Sequence, residues 1–129
     1  MPDIQTREQR QADGVFQLVS RVAARDQAYK QAYGSMAHGL PILIRSAGLV
    51  QAVAFVQSRP NSQQPQKDLL TDLAIVLGYP NADSLGTASR KPPLASYMRL
   101  THEALAALLW FKRFAQSVLH VEGSEGEEP

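Results

Sequence analysis

The chain has 129 residues, 44% apolar and 19% charged, a balance that suits one globular domain with a real core and excludes a disordered polymer. Without cysteine it has no disulfide, no thiol nucleophile and no thiolate-held metal. The net charge of +1 conceals an asymmetry: Glu122, Glu125, Glu127 and Glu128 crowd the end of the chain, and without them the rest carries about +5.

The opening "MPDIQTREQRQADG" is polar and lacks the apolar core of a secretory leader, so a cytoplasmic location is expected. Ala12, Val15, Phe16, Val19, Val22 and Ala23 then recur at three- and four-residue steps, which predicts a helix over about 5–30. Gly34 reads as a break, with Ser35 as N-cap of the next helix. "HGLPILIRSAGLVQAVAFVQS" is long enough to raise the question of a membrane span. Arg45 near its middle costs about 2.5–3.5 kcal/mol on insertion scales, and Pro41 and Gly48 punctuate it, so it reads instead as two soluble helices, 35–47 and 49–58. The second is apolar nearly all round and belongs in the core.

"SRPNSQQPQ" is a loop. "KDLLTDLAIVLGYP" follows as a helix with Leu69, Leu70, Leu73, Val76 and Leu77 as its stripe and Gly78 and Pro80 as stop signals. "NADSLGTASRKPP" is a second loop with room for one helical turn, and a long helix closes the domain over about 94–120. The fold class is all-α: a compact bundle of five or six helices in a single domain over residues 1–121, followed by an acidic tail, 122–129, expected to be disordered.

No catalytic pattern emerges. His38, His102 and His120 are scattered, and "HEALA" lacks the second histidine of a metalloprotease helix. Asp68 and Asp72 lie four apart, more often a solvated first turn than a metal site; neither a metal nor a cofactor is expected, and the chain is read as no enzyme. The cations carry more information. On a helical projection Arg7, Arg10, Arg21 and Arg25 fall on one flank of the first helix, with Gly14 and Gln17 between them, in a stripe of roughly 27 Å. Arginine suits phosphate because its planar fork makes bidentate, charge-assisted bonds; a charged outer face on any amphipathic helix is the plainer explanation for a single one. In the last helix Arg99, His102, Arg113 and His120 gather on the outer face, and Lys112 sits nearer the buried edge. Trp110 projects almost opposite the core, which suggests a subunit interface or a base-stacking platform, with packing under a loop as the equally weighted plainer alternative. Arg45 points outward from an apolar helix as a further candidate contact.

Two stretches, "AYGSMAHGLPILIRSAGLVQAVAFVQS" and "YMRLTHEALAALLWFKRFAQSVL", resemble the signature regions of the small-subunit family of the type III-B CRISPR effector, the Cmr complex. The shared elements are Tyr33 and Ser35, Leu40–Pro41, Gly48–Leu49 with Gln51 and Phe55, and Trp110, Lys112, Arg113, Phe114 and Ala115. The family pattern often has asparagine before the central glycine, where this chain has Ala47. The resemblance implies a non-catalytic helical subunit that stacks head to tail as a minor filament in antiviral defence. Its implied partners are the other Cmr subunits, further copies of itself and the CRISPR RNA–target RNA duplex, mainly the target strand. The candidate RNA-binding residues are then Arg7, Arg10, Arg21, Arg25, Lys30, Arg45, Lys112 and Arg113, with guide pairing supplying sequence specificity. Reversing Arg21 and Arg25 is expected to weaken target binding with the fold intact. The alternative is a helical scaffold that never touches nucleic acid. A helix-turn-helix reader ranks lower, because the turn at Gly48 leads into an apolar helix with no polar row for base edges.

Overall fold

The computed structural model describes residues 5–123, and the tail expected to be disordered, 122–129, lies outside them from residue 124 on. Among the described residues there are six α-helices, one short 3₁₀ turn and no strand. In order these are α1 (Arg7–Val22), α2 (Gln27–Ala47), α3 (Leu49–Gln57), the 3₁₀ turn Asn61–Gln63, α4 (Gln64–Val76), α5 (Ala82–Arg90) and α6 (Leu94–Ser117). The all-α expectation holds. None of the described helices is long and apolar enough to cross a membrane.

Helix α1 begins in a capping box: the Gln9 N–H donates to Thr6 Oγ1 at 3.0 Å, and the Thr6 N–H donates back to Gln9 Oε1 at 2.7 Å. It ends at Val22, short of the expected 30, because Asp26 competes for the backbone. The Asp26 carboxylate accepts the Tyr29 N–H at 2.8 Å and caps a new helix. Arg25 therefore lies in the turn and not on the α1 stripe.

Gly34 does not break α2. The helix runs unbroken from Gln27 to Ala47 with Ser35 in its interior. The glycine serves a close approach: a Cβ there would sit 2.6 Å from the Val121 Cβ. Val121 is buried against this site, and its carbonyl lies 2.9 Å from His38 Nε2 while its N–H donates to the Ala115 carbonyl at 2.9 Å. The segment after α6 is thereby held on α2. Gly34→Ala would normally gain about 1 kcal/mol of helix propensity. Here the added methyl overpacks a closed contact at a cost of about 1–3 kcal/mol, which cancels that gain and leaves a net loss of up to about 2 kcal/mol, read as a lower urea midpoint. A raised midpoint would show that Val121 is not seated there.

At Gly48, φ is +91°, and this glycine joins α2 to α3. No side chain of the junction caps α3; the Tyr97 hydroxyl of α6 accepts the Val50 N–H at 3.2 Å instead. A distant residue thus satisfies a donor that Gly48, the N-cap, has no side chain to serve. Asn81 caps α5 through the Ser84 N–H at 2.8 Å, which turns the expected single turn into a nine-residue helix.

Helices α2 and α6 pack extensively on each other, α1 lies on α6, and α4 lies on α2. Val15, Val19, Tyr33, Leu40, Leu49, Leu73, Leu108 and Phe111 are buried among them. This arrangement leaves the outward faces of α1 and α6 side by side, with the end of α4 beneath.

Candidate nucleic-acid interface

Because α1 and α6 pack along their lengths, the charged edges of both helices face one open groove. Arg7, Arg10 and Arg21 line it from α1, Arg99, His102 and Arg113 from α6, and Ile75, Val76 and Leu77 from the end of α4. Five arginines stand against two glutamates, Glu8 and Glu103. Along α1 alone the basic edge from Arg7 to Arg21 extends about 21 Å, with Gly14 and Gln17 lining the groove between them.

Two contacts organise its mouth. Arg7 Nη2 donates to Glu103 Oε2 at 2.9 Å across the groove, the one salt bridge among the described residues. It is exposed, with Arg7 83% accessible, so the pair is weak and easily displaced. Arg10 Nη1 donates to the Gln5 carbonyl at 2.9 Å, which tethers the segment leading into α1.

Trp110 is placed differently from the helical projection. It is half-buried, lines the groove, and stacks on Phe114 with centroids 5.7 Å apart. Phe114 in turn meets Phe16 of α1 edge-on at 5.3 Å. The Arg113 guanidinium carbon lies 5.7 Å from the Trp110 ring centroid. The indole therefore belongs to the α1–α6 seam with one side left to the groove.

The other nominated cations are elsewhere. Arg45 and Lys112 line a second, smaller cleft with His38, Pro41, Gln116 and Glu122, separated from the groove by Leu109, which lines both. Lys112 is exposed. Lys30 lies in neither cleft. Arg25 stacks on the Tyr29 ring at 3.8 Å. The structure thus brings together four of the eight nominated cations, Arg7, Arg10, Arg21 and Arg113, and adds Arg99 and His102. Those two were legible as outer-face residues of the last helix; what periodicity could not supply is that this face lies against the arginine edge of α1.

Arg25 and Arg21 also neighbour two part-buried polar pairs. Tyr29 and Tyr33 of α2 donate their hydroxyls to Asp68 and Asp72 of α4, the second at 2.6 Å. Burial pushes the Asp72 carboxyl above the ordinary aspartate value; the Tyr33 hydroxyl and the Arg21 charge offset part of the rise. Reversing Arg21 and Arg25 together would set new negative charge beside these carboxylates, so that pair of substitutions would weaken the fold as well as the groove. Among the described residues no three histidines or carboxylates gather as a metal site.

Comparison with known proteins converges on one family. The model of the CRISPR-associated protein family Cmr5 matches residues 7–118. The CRISPR system Cmr subunit Cmr5 of Thermus thermophilus is 46% identical over 116 residues, spanning 90% of this chain and 98% of that one. The crystal structure of a CRISPR-associated Cmr5 family protein from the same organism superposes with a TM-score of 0.82 at 44% identity, covering 92% of this chain and all of that one.

Proposed function

The chain belongs to the Cmr5 family, the small subunits of the type III-B Cmr CRISPR complex, with the other Cmr subunits as its partners, and from that premise we propose that it contacts target RNA through the α1–α6 groove. The observation that carries this reading is the concentration of five arginines in one open groove against two carboxylates. Guanidinium forks bind phosphate without regard to base sequence, so guide pairing is left to specify the target. In this reading the subunit performs no chemistry of its own, resides in the cytoplasm, and stacks head to tail with further copies in an antiviral assembly. Head-to-tail stacking brings two different faces of the molecule together.

Photo-crosslinking of the target-loaded assembly tests the reading. RNA adducts are expected on α1 and α6 peptides that carry Arg10, Arg99 and Arg113. An intact, loaded assembly without adducts on this subunit would establish the protein scaffold in its place.

The Arg7–Glu103 pair gives a second expectation. A phosphate that engages Arg7 competes with the Glu103 carboxylate, which lies 2.9 Å away, for the same positive charge. Glu103→Gln should therefore raise RNA affinity about two- to fivefold at low salt, and Glu8→Gln, which breaks no pair among the described residues, should raise it less. Equal gains from the two, in a fluorescence-anisotropy titration, would mean that only the summed charge of the groove matters.

A further inference from the structure

Part of the groove's lining, which we term its floor, is apolar and not basic. Ile75, Met98 and Leu109 line it and are 46%, 50% and 46% exposed, three of the seven exposed large apolar side chains among the described residues. Three such residues from α4 and α6 lie in one concavity, with Trp110 beside them and the Arg113 guanidinium 5.7 Å from the indole centroid. A surface that needed only to hold phosphates would gain nothing from this exposed carbon.

We propose that the α1–α6 groove takes unpaired RNA, with bases laid on the apolar floor of Ile75, Met98 and Leu109 and phosphates held by the arginines on its two edges. The inference rests on the RNA contact argued above and narrows it. An A-form duplex turns its base faces inward and presents phosphates and 2′-hydroxyls, which would leave the floor wet and uncovered. Unpaired nucleotides present a flat π-face beside each phosphate, so one ligand satisfies both the apolar floor and the cationic edges. Every base has such a face, and the contact is therefore tolerant of sequence. The five guanidiniums favour a polyanion over a protein partner at this site, because an acidic peptide offers fewer charges at regular spacing.

The test uses the full chain and three probes at about 50 mM salt: a single-stranded RNA, the same strand annealed to its complement, and the same backbone made abasic. Single-stranded RNA is expected to bind about tenfold or more tightly than either of the others. Met98→Ser with Leu109→Ser alters two exposed side chains and should keep the thermal unfolding transition. It should lower single-strand affinity about tenfold and leave abasic affinity unchanged. Equal affinity for the three probes overturns the inference and leaves the phosphate contact standing. Serine variants that bind RNA normally but fail to join the other Cmr subunits also overturn it, by assigning the floor to protein. No salt-sensitive binding of any probe overturns both the inference and the reading on which it rests.

Discussion

Replacing Arg10, Arg99 and Arg113 together by glutamate is expected to reduce target-RNA affinity at least about a hundredfold at low salt and to flatten its salt dependence. The three come from both edges of the groove, and all are exposed. None takes part in the salt bridge at its mouth. Each phosphate engaged by a cation releases counterions, so losing three contacts should lower the slope of log K against log salt by about two to three. The change of sign adds repulsion in a groove that would then hold more acids than arginines. Folding should be little affected, because exposed substitutions that break no buried network stay within about 0.5 kcal/mol. Arg90→Glu on α5 supplies the control, since Arg90 is exposed and lies outside the groove. If the triple variant assembles normally and keeps wild-type affinity and salt slope, this surface is not the RNA contact.

The choice of those three residues marks where the sequence was legible and where it was not. Helix α3 and its burial follow directly from "LVQAVAFVQ", and the observed Leu49–Gln57 differs from expectation by one residue. Periodicity sufficed there because one segment buries most of its own surface. It failed at Gly34, where a helix breaker by composition is a helix interior by contact: Val121, 87 positions later, needs the space a side chain would fill. It also carried α1 too far, since an apolar repeat continues through Ala23 while Asp26 starts a new helix by capping it. The groove shows the same limit on a larger scale. Arg7, Arg10 and Arg21 share a flank by arithmetic on one helix, but their union with Arg99 and Arg113 depends on how α1 lies on α6. The apolar floor depends on a third element, α4, so no single window of sequence contains it.

Tyr33→Phe is expected to lower stability by about 1–3 kcal/mol at neutral pH and to change its dependence on pH at both ends. Tyr29 and Tyr33 lie one turn apart on α2, and Asp68 and Asp72 lie one turn apart on α4. Both bonds join residues 39 apart, so the two helices run in the same direction here and the pairs form successive rungs. Tyr33 is fully buried, and removing its hydroxyl leaves the Asp72 carboxylate without that donor in a desolvated site. Burial, followed by the charge and the hydrogen bond of Asp72, holds the Tyr33 hydroxyl well above its ordinary value of 10.0. A raised value in the folded state means stability that is present below pH 10 and lost as pH rises through the folded value. Wild-type protein should therefore lose stability steeply above about pH 10, and Tyr33→Phe should lose it less steeply. Asp72 is likewise raised, from 3.8, so its contribution is greatest in acid and falls as pH climbs through the raised value. The Tyr33 bond is what holds that rise in check; without it the fall between acid and neutral pH should be larger. Urea midpoints measured from acid through alkali give both limbs in one experiment. Parallel profiles for wild type and Tyr33→Phe would show that the bond between Tyr33 and Asp72 does not couple protonation to folding.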